Sequence, residues 1–203
     1  MTTPVVRFLF DFGSPNAYLA HRVIPAIEAR TGARFDYLPV LLGGVFKATG
    51  NRSPMEAFAG VPAKLAYEGK ERDRFVSLHG LTRFAGNPHF PVNTLAIMRG
   101  AVAARRLGVF EAYLEAVFVA MWEQGRKMDD PAVITEVLDS AGLPAAQLMT
   151  LTQDQAVKDE LVANTNTAVA RGVFGSPSFF VGDDLWFGKD RLGDVEAAIV
   201  AAS

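Results

Sequence analysis

The sequence contains no cysteine, and histidine occurs only at positions 21, 79 and 89 of its 203 residues. Without a thiol the chain forms no disulfide, thiolate metal site or iron–sulfur cluster, and it has no cysteine nucleophile of its own. The histidines belong to no HExxH motif and to no cluster of carboxylates, so we predict no metal site. The sequence also lacks a GxGxxG motif after a strand and a GxxxxGK[ST] loop, which argues against dinucleotide binding and a P-loop.

Neither sign of charge is in excess, because 20 Lys and Arg stand against 22 Asp and Glu. The chain therefore lacks the basic field that attracts a polyanion, and we expect no nucleic-acid partner. Long apolar runs are missing too: Val5–Phe12 is too short to span a bilayer and contains Arg7 and Asp11. Since no positively charged segment precedes this run, we do not interpret it as a secretory signal. We expect a soluble, cytoplasmic protein without a membrane partner.

The first forty residues have the pattern of a β–α–β unit. Aromatic and β-branched residues alternate along Val5–Phe12, which predicts a strand. Ser14 as N-cap and Pro15 at the first helical position predict a helix that ends near Gly32. Arg34–Val40 predicts a second strand, and the crossover helix would place the two strands parallel and side by side.

Helical periodicity follows, and the period returns to two near the end of the chain. The predicted helices are Pro54 to about Arg83, Pro91–Leu107, Val109–Gln124, Pro131–Ala141 and Gln153–Arg171, with a further helix start at Leu143-Pro144. Ser178–Val181 and Leu185–Gly188 predict a β-hairpin, and a last helix is predicted over roughly Arg191–Ala202. This order fits an α/β fold with a thioredoxin-like core and an inserted helical domain, although other α+β arrangements share it.

Ser14 has two interpretations. In the first it is only an N-cap, whose oxygen accepts an N–H of the first helical turn. In the second it also serves an anion site, because a helix N-terminus carries about half a positive charge and unsatisfied N–H groups. A thiolate held there would be stabilised, and the hydroxyl can donate to sulfur while its lone pairs cap the helix. Since the chain has no thiol, that sulfur would come from a small molecule.

Ser176-Pro177, just before the hairpin, also has two interpretations. One is a proline at the entry of a strand, which is common at sheet edges. The other is a cis peptide that turns the backbone N–H and C=O of Ser176 outward, where they pair with an extended ligand.

Four separated motifs occur in this order: FDFGSPNAYLA at 10–20, LLGGVFKATGN at 41–51, FPVNTLA at 90–96 and GVFGSPSFFVGDDLWFGKDRL at 172–192. Together they resemble the 2-hydroxychromene-2-carboxylate isomerase family, glutathione-dependent enzymes related to kappa-class glutathione transferases and DsbA-type oxidoreductases. The match is collinear and runs nearly end to end. The resemblance implies a thioredoxin-like domain over 1–52 and 172–203, an inserted helical domain over 53–171, and a homodimer.

The resemblance also implies a glutathione site. Ser14 lies where redox relatives carry an active-site cysteine, so it would be the catalytic residue that holds the glutathione sulfur as a thiolate. Ser176, before a cis-Pro177, would pair through its backbone with the cysteinyl part, and its side chain departs from the hydrophobic residue frequent in the family. Asp190 would bind the γ-glutamyl ammonium and the neighbouring backbone its carboxylate. The predicted glutathione-binding residues are Ser14, Pro15, Asn16, Ser176, Pro177, Phe187, Gly188, Lys189 and Asp190.

The substrate would lie near the segment that follows the second strand. Lys47, Asn51 and Arg52 are predicted on a loop there, facing the first helix because ligands gather beyond the carboxyl ends of parallel strands. A solvated polar loop is the alternative interpretation. The family pattern places Lys47 and Asn51 beside the substrate, where a cation and an amide suit a carboxylate and a phenol. The predicted substrate residues are Lys47, Asn51, Arg52, His89 and Asn93.

The function implied by the resemblance is cis–trans isomerisation of 2-hydroxychromene-2-carboxylate, or a similar aromatic α-keto acid, through a transient glutathione adduct. Two alternatives use the same residues differently. A kappa-type glutathione transferase or peroxidase would use the Ser14 site but consume glutathione. A thioredoxin-like module without cysteine would bind extended peptides in the cis-proline groove and would have no affinity for glutathione.

Overall fold

The computed structural model describes residues 5–202, in which four strands form one sheet in the order β2-β1-β3-β4. The strands are β1 (Val5–Phe10), β2 (Arg34–Pro39), β3 (Ser178–Val181) and β4 (Asp184–Phe187). Helix α1 (Pro15–Thr31) crosses between the parallel pair β1 and β2, and β3 is antiparallel to both β1 and β4. The predicted β–α–β unit and hairpin are confirmed, and together they form the expected thioredoxin-like core.

Helices make up most of the remaining chain between 5 and 202, and none of them is long and apolar enough to cross a membrane. After α1 they are α2 (Leu42–Thr49), α3 (Pro54–Ala57), α4 (Pro62–Leu78), α5 (Leu95–Arg106), α6 (Phe110–Trp122), α7 (Pro131–Ser140), α8 (Ala145–Leu151), α9 (Gln155–Ala170) and α10 (Leu192–Ala202). A 3₁₀ turn at Lys189–Arg191 precedes the last helix.

Two predicted segments differ from the structure near the second strand. The expected loop that carries Lys47 is the helix α2, and the predicted long helix from Pro54 to Arg83 is divided into α3 and α4. Pro62 starts α4 because its ring cannot continue the preceding turn. Beyond the end of α4, Gly80 has φ +63°, a conformation that ends a helix and favours glycine.

The predicted helix from Pro91 begins only at Leu95. The preceding segment is a loop that follows a cis peptide between Phe90 and Pro91. The buried Asn87 side chain holds this loop, because its amide donates to the carbonyls of Met121 at 3.0 Å and Arg126 at 2.9 Å. Such bonds between distant segments leave no trace in the local periodicity.

One hydrophobic core joins the sheet to the helices. Phe8 of β1 stacks on Phe179 of β3 with ring centroids 5.2 Å apart, and Phe12 meets Phe118 of α6 at 4.8 Å. The indole N–H of Trp122 donates to the Phe12 carbonyl at 2.7 Å. The buried cluster thus crosses the predicted domain boundary near residue 52, and the division into two domains stays a prediction.

Candidate active site

Ser14 lies between β1 and α1, directly before the first residue of the helix, and it is buried, with 5% of its surface exposed. Its Oγ accepts the N–H of Ala17 at 3.2 Å, so it caps the helix as predicted. The same hydroxyl donates to the Ser176 carbonyl at 2.9 Å. Ser14 therefore joins the positive end of a helix to the loop before β3, two segments that are 162 residues apart.

The loop before β3 is fixed from both sides. The Ser176–Pro177 peptide is cis, as the family resemblance implied. The Ser176 hydroxyl accepts the N–H of Asp11 at 3.1 Å, and the Pro177 carbonyl accepts the N–H of Gly188 at 3.0 Å. The polar side chain of Ser176 thus satisfies a buried backbone group at the end of β1, which gives this departure from the family pattern a structural reason.

Asp11 is a part of the site that the sequence analysis did not single out. It is 1% exposed, and its carboxylate accepts the N–H groups of Gly13 at 2.8 Å and Leu42 at 2.7 Å. Burial raises its pKa, and these two bonds together with one from the Thr94 hydroxyl oppose that effect. The signal in the sequence was a carboxylate directly after a mostly apolar strand, in which Arg7 is the one charged residue.

Gly13 completes this turn by leaving room for Thr94. A Cβ at Gly13 would lie 3.0 Å from the Thr94 methyl and 3.3 Å from the Asp11 carboxylate. The backbone just before Ser14 is therefore packed against Thr94, the residue that directly precedes α5. A side chain at position 13 would displace one of these neighbours.

The predicted γ-glutamyl site carries an ion pair that the sequence analysis did not foresee. Lys189 is 3% exposed, its Nζ lies 4.7 Å from the centre of the Phe75 ring, and it bonds the Asp190 carboxylate at Oδ1. The Asp190 side chain is 63% exposed, so it stays open to a ligand. Gly188, with φ +96° and ψ 151°, adopts a conformation that favours glycine, and its N–H already bonds Pro177.

The remaining glutathione-site candidates surround these groups. Pro15 and Asn16 form the half-buried first turn of α1. Phe187 is 43% exposed and contacts the ring of Phe174, with centroids 4.5 Å apart. The Phe187 ring lies against Gly175, where a Cβ would come within 2.6 Å of it.

A cleft of about 480 Å³ opens between α2, α5 and α9. Each helix contributes one basic side chain to it: Lys47, Arg99 and Lys158. Its other lining residues are Leu41, Gly44, Ala48, Leu95, Leu161, Val162, Thr165 and Asn166. A smaller hollow of about 310 Å³ shares Leu95 and Arg99 with the cleft and contains Asn93. We call the larger space the three-helix cleft.

The three-helix cleft adjoins the turn that carries Ser14. Leu41 and Leu95 line the cleft, and their chain neighbours Leu42 and Thr94 contact this turn. Leu42 donates its N–H to Asp11, and Thr94 packs against Gly13. A ligand in the cleft would therefore lie beside the end of β1.

The structure does not gather all predicted substrate residues. Lys47 lines the cleft and Asn93 the adjoining hollow, whereas Arg52 and His89 are exposed and line neither. The Asn51 side chain donates to the Phe174 carbonyl at 2.8 Å, which ties the end of α2 to the loop before β3. Arg99 and Lys158 were not predictable as site residues from the sequence, because their helices meet α2 only in the folded chain.

Comparison with known proteins identifies the family. The model of the DSBA-like thioredoxin domain matches residues 5–200. The chain belongs to the DSBA-like thioredoxin domain family. This assignment confirms the predicted thioredoxin-like fold with its helical insertion.

Two named enzymes are similar to this DSBA-like protein over nearly its whole length. The 2-hydroxychromene-2-carboxylate isomerase of Pseudomonas putida is 28% identical over 96% of this chain and 94% of its own. Glutathione S-transferase kappa 1 of Rattus norvegicus is 25% identical over 93% of this chain and 87% of its own. A solved structure of 2-hydroxychromene-2-carboxylate isomerase has a TM-score of 0.84 with 28% identity, covering 98% of this chain and 95% of that one. The resemblance drawn from the four motifs is confirmed.

Proposed function

We propose that this protein is a glutathione-dependent cis–trans isomerase of 2-hydroxychromene-2-carboxylate or a similar aromatic α-keto acid. One observation carries the proposal: in a chain without cysteine, the Ser14 hydroxyl caps α1 and donates to the Ser176 carbonyl at 2.9 Å. A hydroxyl at a helix N-terminus stabilises a thiolate that another molecule brings, and it takes no part in disulfide exchange. The similarity to named isomerases supports this choice of reaction.

The residues fit glutathione at its sulfur end. The Ser14 hydroxyl can turn from the Ser176 carbonyl toward a sulfur while its oxygen still accepts the N–H of Ala17. That turn would free the Ser176 carbonyl to pair with the cysteinyl residue, and Pro15 and Asn16 would enclose it. When bound, glutathione supplies a nucleophilic sulfur whose reversible addition allows a carbon–carbon double bond to rotate.

At the other end, the exposed Asp190 carboxylate would bind the γ-glutamyl ammonium. Lys189 bonds one oxygen of that carboxylate, and its own position against Phe75 holds the carboxylate in place. Since the Gly188 N–H already donates to the Pro177 carbonyl, the γ-glutamyl carboxylate would bind at the next N–H groups, in the 3₁₀ turn that precedes the terminal helix. Phe187 would cover the ligand from the side of β4.

On the substrate side, Lys47 would hold the carboxylate from the three-helix cleft. Asn51 would present its amide oxygen to a phenol, while its N–H groups hold the Phe174 loop. Asn93 would contact the ligand from the adjoining hollow. Homodimer assembly and a cytoplasmic location stay predictions of the family resemblance.

The first test is calorimetric titration with reduced glutathione, with the ultraviolet thiolate band followed in parallel. We expect saturable binding with a thiolate signal in the wild type. In Ser14→Ala we expect about a tenfold smaller thiolate fraction, since this variant keeps the helix end but loses the hydroxyl's hydrogen bond to the anion, which is worth about 1.5 kcal/mol or about one pKa unit. Ser53→Ala is a matched control, because Ser53 also precedes a proline and caps a helix. No binding at millimolar glutathione would contradict the proposal.

Turnover separates the isomerase from a kappa-type transferase, the second candidate favoured by the similarity to kappa-class enzymes. The isomerase regenerates glutathione, so free thiol stays constant while the substrate is converted. A transferase consumes one thiol for each electrophile. Stoichiometric loss of thiol would therefore replace the proposed function with the transferase.

A further inference from the structure

The three-helix cleft concentrates basic side chains that form no ion pair within residues 5–202. Of the 20 Lys and Arg, all within residues 5–202, most pair with a carboxylate. Those for which the described residues provide no ion pair are Arg34, Lys47, Arg52, Lys64, Lys70, Arg99 and Lys158. Three of these seven line the same cleft. The clustering of unpaired cations on three different helices is what an anionic ligand would explain.

Lys158 occupies a position where its charge is unfavourable for the fold. It lies in the first turn of α9, and a cation near a helix N-terminus opposes the helix dipole. Nearby acidic groups have other partners: Asp154 caps α9, and Glu160 bonds Arg106 at 2.7 Å. Among the described residues that line the cleft, none is acidic. Residues 5–202 therefore provide no ion pair that offsets this unfavourable charge, and a bound anion would provide one.

The floor between the cations is apolar. Lys158, Leu161, Val162 and Thr165 follow one face of α9 at spacings of three and four residues, and Leu95 and Arg99 do so on α5. Along α9, the lining from Lys158 to Asn166 extends about 12 Å at 1.5 Å per residue. This length suits an elongated apolar body with a charged group at each end.

We propose that the three-helix cleft binds the substrate as a dianion, an aromatic acid that carries a second carboxylate besides that of its α-keto acid group. Lys47 would hold one carboxylate, and Arg99 with Lys158 the other. This inference rests on the proposed function, because it takes the cleft beside Ser14 as the substrate site. It makes Arg99 and Lys158 specificity-determining residues.

The test compares two ligands of one skeleton, trans-cinnamate and 4-carboxycinnamate, by calorimetric titration at low ionic strength. We expect the dicarboxylate to bind about tenfold more tightly, and the difference to vanish at about 0.5 M salt because exposed charges are then screened. Arg99→Gln and Lys158→Gln should each reduce the difference to about threefold or less. Lys70→Gln, which removes another unpaired and exposed lysine, should leave it unchanged.

Equal affinities of the wild type for the two ligands would overturn the inference. It would also be overturned if Lys70→Gln reduced the affinity difference as much as Arg99→Gln and Lys158→Gln do. Each titration is repeated with saturating reduced glutathione. Loss of the preference under that condition would assign the cations to the carboxylates of glutathione and overturn the inference as well. The thiolate signal reports on the proposed function separately, so a normal signal with equal affinities would contradict only the dianion.

Discussion

Asp11 carries a carboxylate that is 1% exposed and accepts two backbone N–H groups, from Gly13 at 2.8 Å and Leu42 at 2.7 Å. Each N–H is bonded to a different carboxylate oxygen. In Asp11→Asn only one oxygen is left, so one donor faces an NH₂ group. We expect a loss of about 1–3 kcal/mol in the free energy of unfolding, measured by urea denaturation at neutral pH.

The same variant has an expected pH dependence. Burial raises the pKa of Asp11 above its ordinary 3.8, so the folded protein binds this proton more tightly than the unfolded chain. The stabilisation from this site is therefore complete below about pH 4 and declines as the pH rises through the raised pKa. The difference in unfolding free energy between wild type and Asp11→Asn should shrink over that range.

Urea denaturation at a series of pH values checks this sign, with Asp139→Asn as a control that removes an exposed carboxylate of α7. A difference that stays constant with pH, or grows as the pH rises, would contradict the raised pKa of Asp11.

Single residues were predictable from the sequence when their main contact is local. Ser14 followed by Pro15 predicted an N-cap, because the accepted N–H belongs to Ala17, three residues away. Asp11 was not predictable in this way, since its partners Leu42 and Thr94 come from distant segments. The contact of Lys189 with Phe75 likewise joins residues more than a hundred positions apart.

At the scale of elements, α5 and α6 cross closely at Gly100. A Cβ there would lie 2.0 Å from the hydroxyl oxygen of Tyr113, which is held by a 2.8 Å bond to the Ile97 carbonyl. Because Tyr113 is 1% exposed and would have to shift within the core to accommodate a Cβ, Gly100→Ala should cost about 1–3 kcal/mol of unfolding free energy. Thermal or urea unfolding measures this loss.

Gly69→Ala is the matched control for that prediction. Gly69 lies inside α4, and the nearest atom to an added Cβ is the flexible Arg72 guanidinium at 3.8 Å. Here the alanine should stabilise the protein by about 0.5–1 kcal/mol, because glycine loses more backbone entropy in a helix. If both variants changed stability in the same direction, the crowding at Gly100 would be refuted.

Helix α2 shows why one element escaped sequence analysis. Its first turn contains Gly43 and Gly44, which have low helix propensity and resemble a loop. Tertiary contacts compensate: a Cβ at Gly44 would lie 3.2 Å from Thr165, so α2 packs closely on α9. The N–H groups of Leu41 and Leu42 are bonded by Thr165 and Asp11. The helix therefore depends on partners from both ends of the chain.

At the scale of the whole molecule, the helical segment does not pack as a separate body. Phe118 and Trp122 of α6 contact Phe12, and the Trp122 indole bonds the Phe12 carbonyl at 2.7 Å. The boundary predicted between residues 52 and 53 follows from the family resemblance, and the buried cluster extends across it. Element order reveals an insertion but says little about how strongly it couples to the core.

This continuity predicts that residues 53–171 unfold together with the sheet. The chain offers a probe for each part, because its two tryptophans are Trp122, buried in α6, and Trp186, on β4. In Trp122→Phe the fluorescence reports on the sheet, and in Trp186→Phe it reports on the helices. Far-ultraviolet circular dichroism reports mainly on the helices in both variants.

In each variant we expect the urea midpoint from fluorescence to equal the midpoint from circular dichroism, as a single cooperative transition requires. The comparison is made within one variant, so the lost indole bond of Trp122→Phe, worth about 1 kcal/mol, does not affect it. In Trp122→Phe, the remaining fluorescence comes from Trp186. If its urea midpoint differed from the midpoint of circular dichroism in the same variant, the helical domain would unfold independently of the sheet. Since the three-helix cleft lies between α2 and two helices of the insertion, such independence would let it open without loss of the sheet.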